Sequence, residues 1–319
     1  MTKENIIQRF DDLLEYLPEK IKNPLISLDE KFKFSIEEIR LRAGRPLSVT
    51  VGGTQFFIKT DGACMLPKEE CITVLSEDIK EAFFKLCHNS VYSHNDELCR
   101  GYITLKNGHR AGVCGTVTAQ GGKIETIRDI SSINLRIAKE VTSFADKLIK
   151  EYTGGGVLIC GGPSTGKTTL LRDFARQLAS GVKGKFLKVA IIDSRGEIAA
   201  SLNGVPMADL GSTADILTFC PKGQGIEMAL RTLNPDIIVF DELGNLQEVK
   251  AVEQSFNSGV SVVATAHAGD LKDIYRRKPI ARLLQSGAIN QIVLCDNKNG
   301  FSYSVFTLEE IQKSKTVAV

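Results

Sequence analysis

From residue 157 onward, short apolar runs alternate with stretches whose apolar residues recur at helical spacing. Val157–Cys160, Lys188–Ile192, Ile237–Phe240, Ser261–Ala264 and Ile292–Leu294 read as buried strands, and Phe301–Phe306 as an added edge hairpin. Between them, Leu170, Leu171, Phe174, Ala175 and Leu178 form one helical stripe, and Leu246, Val249, Val252 and Phe256 another. Strands apolar on both faces, separated by amphipathic helices, predict a parallel sheet covered on both sides. The earlier part mixes periods. Ile6, Phe10, Leu13, Leu14 and Leu17 predict a helix closed by Pro18. Ile39 and Leu41, then Leu47, Val49 and Val51, alternate around a Gly44-Arg45-Pro46 turn. Residues 101–118 read as a hairpin about Asn107-Gly108. The expectation is a smaller α+β domain over 1–145 and an α/β domain over 146–319, with Tyr152–Gly156 as the hinge.

A chain of 319 residues can bury two cores without staples. With 43% apolar and 24% charged residues it is neither disordered nor fibrous. Lysine and arginine number 40 against 38 acids, which excludes a bulk polycation. The absence of tryptophan speaks against an aromatic platform for single strands, so no nucleic-acid partner is expected. No run approaches the ~20 apolar residues that span a bilayer, and Met1 to Phe10 holds no apolar signal region. The chain is expected to be cytoplasmic, to insert in no membrane directly, and to reach one only through partners. The eight cysteines include no Cys-x-x-Cys and read as free thiols. Cys87, His88, His94 and Cys99 lie close together, but at no recognisable zinc spacing.

The strongest chemical signal follows the first buried strand. Gly161, Gly162, Pro163, Ser164, Thr165, Gly166, Lys167 and Thr168 fit G-x-x-x-x-G-K-[ST], with a strand before and a helix after. Glycines let successive N–H groups converge on one anion, and the helix N-terminus adds its dipole. These residues and Thr169 are the candidate nucleotide-binding set. Lys167 is expected on the β and γ phosphates and the Thr168 hydroxyl on Mg²⁺. Ile237–Phe240 ends in Asp241 and Glu242, delivered to the carboxyl edge of the sheet where open α/β sheets bind ligands. Asp241 is the candidate Mg²⁺ ligand, directly or through water, and Glu242 the group that orients attacking water.

The strand Lys188–Ile192 lies in sequence between the two motifs, the chain order of RecA-like P-loop domains. Asp193 and Glu197 follow it and are expected to reach the same γ-phosphate. Thr265-Ala266-His267 ends the next strand, placing His267 to sense that phosphate. A nucleic-acid motor is the alternative, because RecA-like cores also move DNA and RNA; salt-dependent single-strand binding distinguishes it.

At this point the residues resemble a known group. Met228 to Asp236 followed by Ile237 to Leu243 is similar to the arginine-bearing helix, Pro-Asp turn and acidic strand of the ATPases that drive type II and type IV secretion. Thr265 to Ala268 is similar to their histidine box, and Asp193 to Glu197 stands where their aspartate box does. Those enzymes commonly carry Gly at the place of Asp241, which favours Glu242 as the catalytic carboxylate, and a carboxylate at the place of Ser194. Glu38 to Leu47 and Arg100 to Gly115 narrow the resemblance to the stage III sporulation protein AA family, over nearly the whole chain. The resemblance implies hydrolysis of ATP with Mg²⁺, a homo-hexameric ring, and docking to membrane proteins of a channel between mother cell and forespore, on the mother-cell side. It also implies Arg128, Arg136 and Arg231 as candidate arginine fingers.

Overall fold

The structure is a computed structural model describing residues 3–138, 141–181, 184–297 and 300–310. It divides into two compact units, Met1–Glu140 and Val141–Val319.

The first unit opens with three helices, α1 (Lys3–Leu14), α2 (Glu19–Ile26) and α3 (Glu30–Ser35). Pro18 does not close the first of these, which ends at Leu14; it stands as the N-cap of α2, where its fixed φ suits a helix start. There follow β1 (Ile36–Arg42), β2 (Arg45–Pro46), β3 (Ser48–Val51), β4 (Thr54–Lys59), β5 (Gly62–Cys64), β6 (Thr73–Val74), α4 (Ser76–Leu86), α5 (Asn95–Cys99), β7 (Tyr102–Thr104), β8 (Arg110–Gln120) and β9 (Lys123–Arg136). Seven of the strands form one antiparallel sheet in the order β5-β4-β3-β1-β9-β8-β7. Phe10, Leu13, Ile21, Leu25 and Ile79 from the helices share one core with Ile39, Leu41, Val49 and Leu135 from the sheet. Tyr102 pairs Gly112 across the hairpin about Asn107, whose φ of 59° makes the turn.

The second unit contains α6 (Asp146–Glu151), β10 (Val157–Gly161), α7 (Lys167–Ala179), β11 (Val189–Asp193), β12 (Ala214–Thr218), α8 (Lys222–Thr232), β13 (Ile237–Phe240), α9 (Leu246–Asn257), β14 (Ser261–His267), α10 (Leu271–Arg276), α11 (Lys278–Ser286), β15 (Gln291–Asp296) and β16 (Ser302–Thr307). The sheet order is β12-β11-β13-β14-β10-β15-β16, parallel except for the last strand. Successive strand residues point to opposite faces. Ile237 and Val239 join Leu170, Leu171, Phe174 and Leu178 of α7 on one face. Ile238 and Phe240 join Ile226, Val249, Val252 and Leu283 on the other. In space the strand between β10 and β13 is β14, while the two strands that separate the motifs in sequence, β11 and β12, lie beyond β13.

Two expectations are corrected. The core face of α9 is Val249, Ala251, Val252 and Ser255; Leu246 and Phe256 are exposed, standing in the first and last turns of the helix. Tyr152–Gly156 is not a hinge, because it lies within the second unit and is pinned there. The Tyr152 hydroxyl donates to the Gly155 carbonyl at 3.0 Å and the Gly156 amide to Asn290 Oδ1 at 2.9 Å. A Cβ at Gly155 would collide with the Asn290 side chain, and one at Gly156 with the Ala288 carbonyl. These glycines serve close backbone approach, not freedom of motion.

Candidate functional site

The site forms at the carboxyl edge of the second unit's sheet, where β10 turns into α7. Ser164 has φ 56° and Gly166 φ 80°, so the loop curls through left-handed conformations before the helix begins. A Cβ at Gly161 would collide with the Thr165 hydroxyl, so the turn closes only on glycine. The Lys167 ammonium donates to the Gly162 carbonyl at 2.6 Å, folding the lysine over its own loop. Burial holds that ammonium below the usual lysine range, against the opposing charges of Asp241 and, more weakly, Glu242.

The acidic strand supplies the other wall. The Thr168 hydroxyl donates to Asp241 Oδ2 at 2.7 Å. The Thr265 hydroxyl donates to the other Asp241 oxygen and accepts from the Glu242 amide at 2.7 Å. Glu242 adopts φ 57°, which is costly outside glycine and is held by its surroundings. Its carboxylate pairs with the Arg195 guanidinium on one side, and His267 Nε2 lies 3.6 Å away on the other. The Lys222 ammonium donates to the Glu242 carbonyl and sits 3.5 Å from Glu248, whose other oxygen accepts from the Gly244 amide. The turn that carries both acids is therefore fixed on three sides.

A hard oxygen pair, the Thr168 hydroxyl and the Asp241 carboxylate, matches what Mg²⁺ prefers. The glycine-closed loop with its lysine matches a phosphate chain. The residues present thus fit both groups.

The structure brings Gly161 to Thr169, Asp241, Glu242 and His267 to one edge. It gives Asp193 another task. That carboxylate is buried and accepts from the amides of Glu197, Ile198 and Ala199 at 2.8, 3.0 and 2.8 Å. It is spent on shaping its own loop, which corrects the expectation that it meets a phosphate. Glu197 sits half-buried in that loop, its carbonyl accepting from Arg172 at 2.6 Å. Arg231 lies nine residues along α8 from Lys222, about 14 Å of helix, and pairs with Glu227 at 3.2 Å on its own helix. Arg128 and Arg136 belong to β9 of the first unit, where Arg136 lies 3.0 Å from Glu38 and Arg128 3.7 Å from Asp129. His94 is committed to Glu97 at 2.7 Å, and among the described residues no three His, Cys, Asp or Glu side chains come together as a metal site.

Sequence reading passed over Thr265, Arg195 and Lys222. Thr265 had a signal: β13 and β14 run in parallel with Phe240 opposite Ala264, so the next step sets the threonine beside Asp241. Arg195 had none, because its reach depends on the loop that Asp193 organises.

The family model described as "Sporulation stage III, protein AA" matches residues 8–308. Stage III sporulation protein AA of Bacillus subtilis (strain 168) is 33% identical over 294 residues, 91% of this chain and 92% of the relative. Among solved structures, the pilus retraction motor PilT with bound ADP superposes with a TM-score of 0.61 at 17% identity, over 94% of this chain and 87% of that one. The Legionella pneumophila ATPase DotB gives 0.53 at 16%, over 89% and 80%. At such identities the structural likeness concerns the fold: a mixed α/β chain with a largely parallel sheet, as in PilT and DotB. No described helix is long and apolar enough to cross a membrane. The family match and the full-length relative agree, and the chain belongs to the sporulation stage III protein AA family.

Proposed function

We propose that the chain is a Mg²⁺-dependent ATPase with a RecA-like core, which works as a homo-hexameric ring on membrane proteins of a channel between mother cell and forespore. It would act from the cytoplasm of the mother cell. The observation that carries the reading is the Thr168–Asp241 hydrogen bond, which joins the helix after the glycine loop to the acidic strand at one point.

In this reading Gly161 to Thr169 hold the phosphates with backbone N–H groups, and Lys167 leaves the Gly162 carbonyl for the β and γ oxygens. Mg²⁺, when bound, neutralises phosphate charge, and Thr168 and Asp241 are the groups that would hold it, directly or through water. Glu242, set by Arg195 and His267, orients a water for attack on the γ phosphorus. The new P–O bond forms as the bond to the bridging oxygen breaks, leaving ADP and phosphate. The solved structure of PilT, which shares this fold, holds ADP, and that supports nucleotide binding here. Ring assembly, the channel and the membrane partners rest on family membership alone.

The test is phosphate release from ATP by the purified chain, with and without Mg²⁺, beside Lys167→Ala. Loss of that preorganised charge is expected to lower turnover ~10²-fold or more. A Lys167→Ala chain as fast as the parent overturns the assignment.

A further inference from the structure

We propose that the cleft beside Gly166 is a nucleobase subsite in which Phe301 stacks on the base of a purine nucleotide and Phe144 supports it; this rests on the ATPase reading above. The sheet order fixes which way a bound nucleotide must run. Asp241 and Glu242 follow β13, two strands from β10 on one side, and Thr168 turns toward them. The γ-phosphate end therefore faces β13. What remains of the nucleotide extends the other way, toward the β15–β16 hairpin.

An aromatic cluster waits on that side. The hairpin joins Asp296 to Ser302 at the same sheet edge as the phosphate loop, since Cys295 pairs in parallel with Gly161. Asn297, next after β15, is tied to that loop: its side-chain amide donates to the Ser164 carbonyl at 3.2 Å. A Cβ added to Gly166 would stand 3.1 Å from the Phe301 ring and 3.5 Å from the Phe144 ring. The glycine that opens the phosphate-binding helix therefore lies directly against both rings. Phe144 meets Phe301 edge-on at 6.2 Å and Tyr303 edge-on at 5.9 Å. Tyr303 is held in turn, its hydroxyl accepting from the Leu148 amide at 3.1 Å.

Phe144, Phe301 and Tyr303 line a cleft of about 500 Å³, with Lys147, Ser143 and Ser302 among its polar neighbours. That volume is in the range of small-ligand sites. A lone exposed phenylalanine would need no explanation. Phe301 differs because it is 61% exposed while its edge touches the phosphate loop and its neighbour Phe144 braces it. A ring fixed at one side and open at the other offers a π-face to a flat base. The two-ring purines present the larger stacking area.

The chain has no tryptophan, so Phe301→Trp introduces a sole indole reporter. ADP is expected to quench its emission, whereas tripolyphosphate, which fills the phosphate loop without a base, is expected to leave it unchanged. Phe301→Ala should weaken ADP binding ~10-fold, the scale of base–aromatic stacking, and leave tripolyphosphate affinity as in the parent. Parental ADP affinity in Phe301→Ala, or an indole that responds equally to tripolyphosphate, overturns the base subsite while the phosphate site stands. If the parent binds neither ADP nor tripolyphosphate, the ATPase reading fails and the subsite with it.

Discussion

The Thr168 hydroxyl donates to the Asp241 carboxylate at 2.7 Å across 73 residues of sequence. One contact thus sets the spacing between the glycine loop and the acidic strand, although β14 lies between β10 and β13 in the sheet. Asp241→Asn keeps an acceptor oxygen and loses the charge. Hydrogen bonds and contacts to charged groups are worth about 1.5–3 kcal/mol, so the Mg²⁺-dependent part of ATP affinity should fall ~10-fold or more. Affinity measured by calorimetry in chelator should match the parent. Equal Mg²⁺ dependence in variant and parent would remove Asp241 from the cation site.

Glu242 sits between Arg195 and His267 in a strained backbone conformation, an arrangement that positions a carboxylate more than it stabilises a fold. Glu242→Gln should bind ATP within about threefold of the parent yet turn over ~10²-fold more slowly, the lower range for a positioned base. Arg195→Ala should lower kcat ~10-fold with KM little changed, because Glu242 then loses a charged neighbour. Arg195→Lys should recover part of the loss. A fall in affinity without a fall in kcat, for either residue, would contradict these roles.

The glycine loop and the strands were legible in the sequence because both are local. The loop is one uninterrupted motif, and Ile237–Phe240 carries no residue that suits a solvent face. The ends of α9 were misread because Leu246 and Phe256 satisfy helical spacing while standing in the terminal turns, where they are exposed. Glycines 154–156 suggested a hinge because composition does not reveal that an asparagine side chain fills the space beside Gly155 and a carbonyl the space beside Gly156. Asp193 looked catalytic by position, and only the chain's return through Glu197, Ile198 and Ala199 shows three amides claiming it. Arg195 was invisible for the same reason: which way a loop side chain points is a tertiary matter.

The first unit holds a pH dependence of its own. His109 is buried, its Nδ1 accepting from the Ala138 amide at 2.9 Å, and burial, seconded by the Arg9 charge and opposed by Asp12, pushes it from 6.5 down to about 4. A histidine with a depressed folded value contributes fully above its unfolded value near 6.5. That contribution is lost as pH falls toward 4, because the unfolded chain takes up the proton first. The span corresponds to roughly 3 kcal/mol at most. Urea midpoints followed from pH 7.5 to 4.5 should therefore drop more steeply in the parent than in His109→Asn. Parallel slopes would show that another group carries the acid sensitivity.

The transition state for attack on a γ-phosphate gathers negative charge that Lys167 and a cation only partly meet. The other cations at the site are already engaged: Arg195 with Glu242, Lys222 with Glu248 and the Glu242 carbonyl. Arg128, Arg136 and Arg231 keep 70%, 65% and 75% of their side chains exposed while pairing with Asp129, Glu38 and Glu227, and exposed pairs cost little to break. Such arginines suit presentation to a neighbouring subunit, and a finger of this kind is worth ~10³–10⁵-fold in P-loop enzymes. Phosphate release per chain should then rise steeply with protein concentration. Lys167→Ala chains mixed with chains lacking the finger should regain activity that neither has alone, because some junctions in the mixed ring combine an intact loop with an intact arginine. The three arginines are to be replaced one at a time, and only the true finger should complement. Flat specific activity from dilute to concentrated protein, with no complementation for any of the three, would place the missing charge within one chain.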